Sequence, residues 1–289
     1  MDQGAAPSKW RVGEVLQALL FVVAVTFHHA EPTWANDWSD CFDENDLETI
    51  VAGCSGVIEA DHLQNWQRAM ALNNRANALS VKGDLDASED NYSRALALDP
   101  HYEKAYYNRG TLRQRRGNLK GALDDFDQAI SLKSDYFEAL HNRGVVHEKL
   151  GRYDNAIADF SAAIALNPEL YVSFNNRGVA YRKKGALARA IEDFDAAIGL
   201  NGGYANAYNN RARTYLDRQE HERAVSDATK AVNLDPSFAD AFFTRGRALE
   251  SLGRHRDAME DYARTAALDE TNVAAQEHLA RLKGTQNYK

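Results

Sequence analysis

The chain has 289 residues, long enough for one large domain or two ordinary ones, and its 44% hydrophobic and 26% charged residues describe a soluble protein with a core rather than a disordered one. Five prolines and eighteen glycines are too few for a loop-rich sandwich or a low-complexity linker protein, so helix is the expected element. A net charge of -8 argues against a nucleic-acid binder working by counterion release.

Residues 1–35 read as a signal peptide. Lys9 and Arg11 precede an apolar run from Val15 to Phe27, too short to span a bilayer as a stable helix, and Thr33-Trp34-Ala35 supplies small residues where a signal peptidase reads. Export to the periplasm or beyond is the expectation, with cleavage after Ala35; cleavage after Ala30 and an uncleaved anchor are the alternatives. Removal leaves 32 basic against 39 acidic side chains, or -7, and no integral membrane segment. Cys41 and Cys54, the only cysteines, fall just inside the mature chain, where an exporting compartment favours a disulfide over two free thiols. Ile50, Val57 and Ile58 have the spacing of one helix face, so 37–68 is expected to be a degenerate helical half-unit pinned by that disulfide.

From Ala69 onward the sequence repeats itself every 34 residues. Asn74-Arg75, Asn108-Arg109, Asn142-Arg143, Asn176-Arg177 and Asn210-Arg211 fall in register, and Thr244-Arg245 closes the series without insertion or deletion. A fixed period over six units marks a repeat array in which each unit buries its apolar face only by stacking on its neighbours. In the unit 171–204, Phe174, Gly178 and Tyr181 share one helical face, Gly185 ends that helix, and Ala190, Phe194, Ala197 and Ile198 define a second. Each unit is therefore two antiparallel helices, with units at 69–102, 103–136, 137–170, 171–204, 205–238 and 239–272. Residues 273–289 read as a cap helix and tail, with Val273, Leu279 and Leu282 apolar. The fifth unit departs from the pattern at Gln219 and Ala228, and the sixth at Thr265 and Glu270, so packing is expected to loosen toward the C-terminal end.

The recurrence of Gly110, Gly144 and Gly246, of Ala122, Ala156, Ala224 and Ala258, and of Tyr92, Phe126, Phe160 and Tyr262 resembles the tetratricopeptide repeat family, as do the turn prolines Pro100, Pro168 and Pro236. That resemblance implies an all-α, right-handed superhelical solenoid of antiparallel helix pairs whose first helices line a concave groove. It also implies a non-enzymatic protein–protein interaction scaffold that holds an extended peptide segment there. An assembly subunit of a cell-envelope complex, using its convex face or its ends, is the competing reading.

The recurring arginines, with Arg109, Arg143 and Arg177 at the centre, stand sixteen residues before Asp125, Asp159 and Asp193, so stacked inter-helix ion pairs are expected. The asparagines Asn74, Asn108, Asn142, Asn176 and Asn210 precede those arginines by one position, on the face that the resemblance assigns to the groove. An amide carries both donor and acceptor and can pair with any peptide backbone; the ladder resembles the one in the repeat superhelix of O-linked N-acetylglucosamine transferase. It could equally bridge neighbouring repeats. The two-carboxylate clamp of heat-shock co-chaperones is matched at Lys104, Asn108 and Asn142 but broken at Val172 and Asn176. Arg115, Lys149, Arg182 and Lys183 would make the groove basic, which favours acidic or carboxylate-ended protein or peptide partners unless these charges are only a solvated face. No nucleophile, acid–base pair, metal or cofactor set stands out: His141 and His147, six apart, lie on opposite sides of a helix.

Overall fold

The computed structural model describes residues 33–43 and 46–286. The leader expected over 1–35 lies outside the described residues but for its last three positions. Fifteen helices are described: α1 Thr33–Cys41, α2 Leu47–Glu59, α3 Asn65–Lys82, α4 Leu85–Leu98, α5 Glu103–Arg115, α6 Leu119–Leu132, α7 Phe137–Lys149, α8 Tyr153–Leu166, α9 Tyr171–Lys183, α10 Leu187–Leu200, α11 Ala205–Asp217, α12 His221–Leu234, α13 Ala239–Ser251, α14 His255–Leu268 and α15 Val273–Gln286. Each consecutive pair from α3 to α14 is an antiparallel hairpin stacked on the next, giving an all-α solenoid of six units.

Local chemistry sets the boundaries. The side chains of Asp84 and Asn118 accept from the backbone N–H groups of Ala87 and Gly121, capping α4 and α6. At the exits of the second helices, Asp99, Asn167, Asn201, Asp235 and Asp269 each accept from the backbone N–H two residues on. This Asx turn fixes the joint whether or not proline follows, which is why Glu270 stands in a normal turn.

Size complementarity packs each hairpin. A Cβ added at Gly178 would lie 2.7 Å from the Phe194 ring, so only glycine lets the first helix approach an aromatic on the second. The fifth unit inverts the pair: Ala212 carries the methyl where Ala228 lacks the ring, and both are fully buried. Thr265 is buried too, its hydroxyl donating to the Asp261 carbonyl at 2.9 Å. The C-terminal units are therefore not loose, contrary to expectation; what marks the fifth is backbone. Gln219 adopts φ 62° where Gly185 has 78°, and a side chain in the left-handed region costs about 1 kcal/mol.

The arginine series binds two units at once. Nε and Nη2 of Arg177 donate to the two carboxylate oxygens of Asp193 at 2.9 and 2.7 Å, and the same bidentate pairing joins Arg109 to Asp125, Arg143 to Asp159, Arg211 to Asp227 and Arg245 to Asp261. Nη1 reaches back to the preceding unit's second helix: Arg109 to Ser93, Arg143 to Asp127, Arg177 to Ser161, Arg211 to Asp195. Hydrogen bonding to Asp159 raises the Arg143 guanidinium above its usual range. In the first unit Asn91 replaces the aspartate and Arg75 reaches back to Ser55.

Both ends are covered. Cys41 and Cys54 form a disulfide between α1 and α2, and these helices, with Val57 and Ala71 buried and Trp38, Phe42 and Ile50 around them, make a short but complete hairpin where a half-unit was expected. At the other end Leu279 and Leu282 pack on Leu249 and Tyr262, whereas Val273 is exposed.

Two outcomes follow for thermal unfolding. Arg177→Leu leaves Asp193 buried without its partner and should cost about 3–5 kcal/mol, read as a lowered melting temperature. Gln219→Gly should instead stabilise the chain by about 0.5–1 kcal/mol, since it removes the left-handed strain.

Candidate functional site

Successive first helices touch one another, α3 on α5, α5 on α7, α7 on α9, α9 on α11 and α11 on α13, while successive second helices make no comparable contact. The first helices thus line the inner side of the array, and the residue after each ladder asparagine, the arginine just described, points away from it toward the second helices. This puts Asn74, Asn108, Asn142, Asn176 and Asn210 in register along the inner side.

Their amides are largely bonded across the joints. Asn108 Nδ2 donates to Asn73 Oδ1 at 2.9 Å, Asn210 Nδ2 to Asn175 Oδ1 at 3.0 Å, and Asn142 Nδ2 to the Tyr107 hydroxyl at 3.2 Å; Asn74 Nδ2 reaches the Cys41 carbonyl at 3.4 Å. Asn176 differs. Its Oδ1 accepts from Asn175 Nδ2 at 3.0 Å, but its own Nδ2 donates to no group among the described residues, because the residue that would receive it is His141. The His141 Nδ1 pairs instead with the Ser173 hydroxyl at 2.7 Å, its ring lies against Phe160, and burial pushes its pKa down to about 4.

The expected cations divide. Lys104, Lys149 and Lys183 are exposed, and Arg115, also exposed, donates to the Ser80 hydroxyl at 3.2 Å. Burial raises the Glu148 pKa against the pull of Lys183 and Lys149. Arg182 is not free: its Nε donates to Asp217 at 2.6 Å. Sequence reading missed Tyr107 and Arg213 on the same face and weighed His141 only as a metal ligand; the 34-residue column Thr111, Val145, Val179, Arg213, Arg247 would have shown the change to arginine.

Toward the N-terminal end two adjoining clefts, about 350 and 290 Å³, share Asn77 and Val81 as walls. Asn108, Tyr107 and Arg115 line the larger, and Phe42, Ile50 and Asn74 the smaller. The larger could take an apolar side chain beside an amide, since Val81 is 72% exposed there. Among the described residues no group of three or more His, Cys, Asp or Glu side chains is placed to hold a metal ion, and no helix is long and apolar enough to cross a membrane.

Family models described as tetratricopeptide repeat match residues 69–102 and 137–170, 171–204 and 209–273, and a model described as TPR repeat matches 113–151. No curated protein matches the chain in sequence. Among solved structures, YrrB, a TPR protein with an unusual peptide-binding site, is 27% identical, with 60% of this chain and 89% of that chain covered and a TM-score of 0.53. A tetratricopeptide repeat protein from Parabacteroides merdae shares the fold at 19% identity over 87% of this chain and 98% of its own, TM-score 0.66. So does PilW, a type IV pilus biogenesis factor, at 23% identity over 74% and 97%, TM-score 0.65.

A neutral His141 makes stability depend on pH. Its folded pKa of about 4 lies below the ordinary value of 6.5, so the unfolded chain binds the proton first. Stability from this group is fully present above pH 6.5 and is lost as pH falls to about 4, by roughly 2–3 kcal/mol. Denaturant titration of His141→Gln between pH 7 and 4 should show that much less acid sensitivity than the parent.

Proposed function

The chain belongs to the tetratricopeptide repeat family, and from that premise we propose that it is a non-enzymatic scaffold holding an extended polypeptide segment of a partner along its first helices. The observation that carries this reading is the register of the asparagines, with the Asn176 amide, fourth in the row, left without an acceptor among the described residues. An extended peptide offers a carbonyl at every residue, and a donor held by its own helix can receive one at about 1 kcal/mol net. The inter-repeat bonds of Asn108, Asn142 and Asn210 hold their side chains in place and leave acceptor capacity on their oxygens, so little ordering cost remains at binding.

YrrB supports the mode, as a relative of the same family with a peptide-binding site. The exposed Arg115, Lys149 and Lys183 along the row favour acidic or carboxylate-ended segments by steering and charge-assisted hydrogen bonds. The basic-then-apolar leader and the single disulfide favour an exported protein working in an oxidising compartment.

A second reading, an assembly subunit docking by another face, is favoured by the exposed Leu132, Leu166, Leu200 and Leu234, which recur at the ends of successive second helices. Cross-linking separates the two readings by whether contacts fall on the asparagine row or on those leucines.

Asn176→Asp keeps the acceptor for Asn175 and removes the unused donor. Peptide binding measured by fluorescence anisotropy should weaken about fivefold to tenfold, with the melting temperature held within a few degrees. Unchanged affinity would remove the asparagine row from the binding site.

A further inference from the structure

Arg213 is the one half-buried arginine of the first helices with no protein acceptor. Arg68, Arg75, Arg109, Arg113, Arg143, Arg177, Arg182, Arg211 and Arg245 all reach a carboxylate, amide or carbonyl. Arg213 makes no hydrogen bond or ion pair among the described residues. Asp240 and Asp217 attract it only from beyond contact, and Asp217 is already held by Arg182. Burial, together with the like charges of Arg182 and Arg247, lowers its pKa. A half-buried guanidinium gives up part of its hydration without gaining a protein partner, so its presence at this position needs a reason.

A second unmatched group lies beside it. Asn209, four residues earlier on α11, is 2% exposed and its Oδ1 has no partner. In the first and fourth units the corresponding oxygen, on Asn73 or Asn175, accepts from the asparagine of the next repeat. Here the next repeat supplies Thr244, whose hydroxyl donates to its own helix at the Asp240 carbonyl, 2.8 Å away. The joint between α11 and α13 therefore keeps an unused acceptor and an unused cation, the complement of a peptide unit that brings an N–H and a carboxylate. The column through the site reads Val145, Val179, Arg213, Arg247, so the row passes from apolar to cationic at this point.

We propose that Arg213, with Arg247 beside it, forms a subsite for a carboxylate of the bound peptide at the α11–α13 joint. The proposal rests on the peptide-binding reading above and assigns one end of the ligand a chemistry. The local charge fixes the class. Arg182, Arg213 and Arg247 against Asp217 and Asp240 leave a surplus of one positive charge, which suits a monoanionic carboxylate rather than a phosphate dianion or a nucleic-acid backbone. The carboxylate is either the peptide's C-terminus or an Asp or Glu side chain.

The test uses the full chain, fluorescently labelled, on an array of random 12-residue peptides synthesised as free acids and as C-terminal amides. For the parent chain, peptides with a free carboxylate should be captured at least tenfold better than neutral amides. Arg213→Gln should abolish that preference and Arg213→Lys should keep part of it. Preference for free acids over acidic amides identifies the C-terminus as the source; equal capture of both identifies any peptide carboxylate. Bound peptides showing no carboxylate preference, lost in Asn176→Asp all the same, would overturn the subsite and leave the groove reading standing. Capture no better than by an Asn108, Asn142 and Asn176 triple alanine variant would overturn both. A partner-independent reading runs alongside: Arg213→Met should melt no lower than the parent, since it removes a half-buried charge that has no protein partner, and a lower melting temperature would make Arg213 structural and sink the proposal.

Discussion

Arg109, Arg143, Arg177 and Arg211 are each tied to three helices at once, and the arrangement of the array follows from that. In each, two nitrogens grip the aspartate of its own second helix and the third reaches the second helix before it. An ion pair taken out of water gains little net energy, because desolvation offsets the attraction. Its effect lies in direction. A bidentate fork is satisfied at one crossing geometry and one vertical spacing, so the apolar contacts between Gly178 and Phe194, and their equivalents, form in a single register.

The groove inherits its regularity from the same device. Since each arginine turns toward the second helices, the asparagine before it turns the other way, and adjacent first helices come close enough for side-chain bonds at a separation of 35 residues: Asn73 to Asn108, Tyr107 to Asn142, Asn175 to Asn210, Ser80 to Arg115, Arg182 to Asp217. The amide row is therefore built before any ligand arrives. Where the rung is interrupted, at His141 and at Asn209, polar groups are left unmatched, and those two places are the ones with something still to offer a partner.

What the sequence could tell was governed by distance along the chain. The 34-residue period, the hairpins and the sixteen-residue Arg–Asp pairing involve the same residue type in every unit, so alignment of the repeats exposes them. The cross-repeat bonds do not repeat in kind. The receiving position is Asn73, Tyr107, His141, Asn175 and Asn209 in turn, and only packing shows which of these accepts. Arg182 looked like a free groove cation because Asp217 lies in another unit, and Gln219 looked like a lapse in packing although it alters only backbone strain. The backward reach of Arg143 to Asp127 was equally hidden, since the position is Ser in some units and Asp in others.

The backward link also has a mechanical side. Joints before α3, α5, α7, α9 and α11 each carry an arginine clip onto the preceding second helix. At the joint before α13, Arg245 faces Thr229 in that position and makes no such bond among the described residues; Ala231, Val232 and Ala241 with Tyr208, Phe238 and Phe242 pack there instead. Under a load applied along the axis, the clipped joints must break a charged hydrogen bond before they shear, whereas at this one shear is opposed by side-chain packing. The array is thus held at five joints by arginine clips and at the sixth by packing, and a ligand lying across that sixth joint would act as its strut.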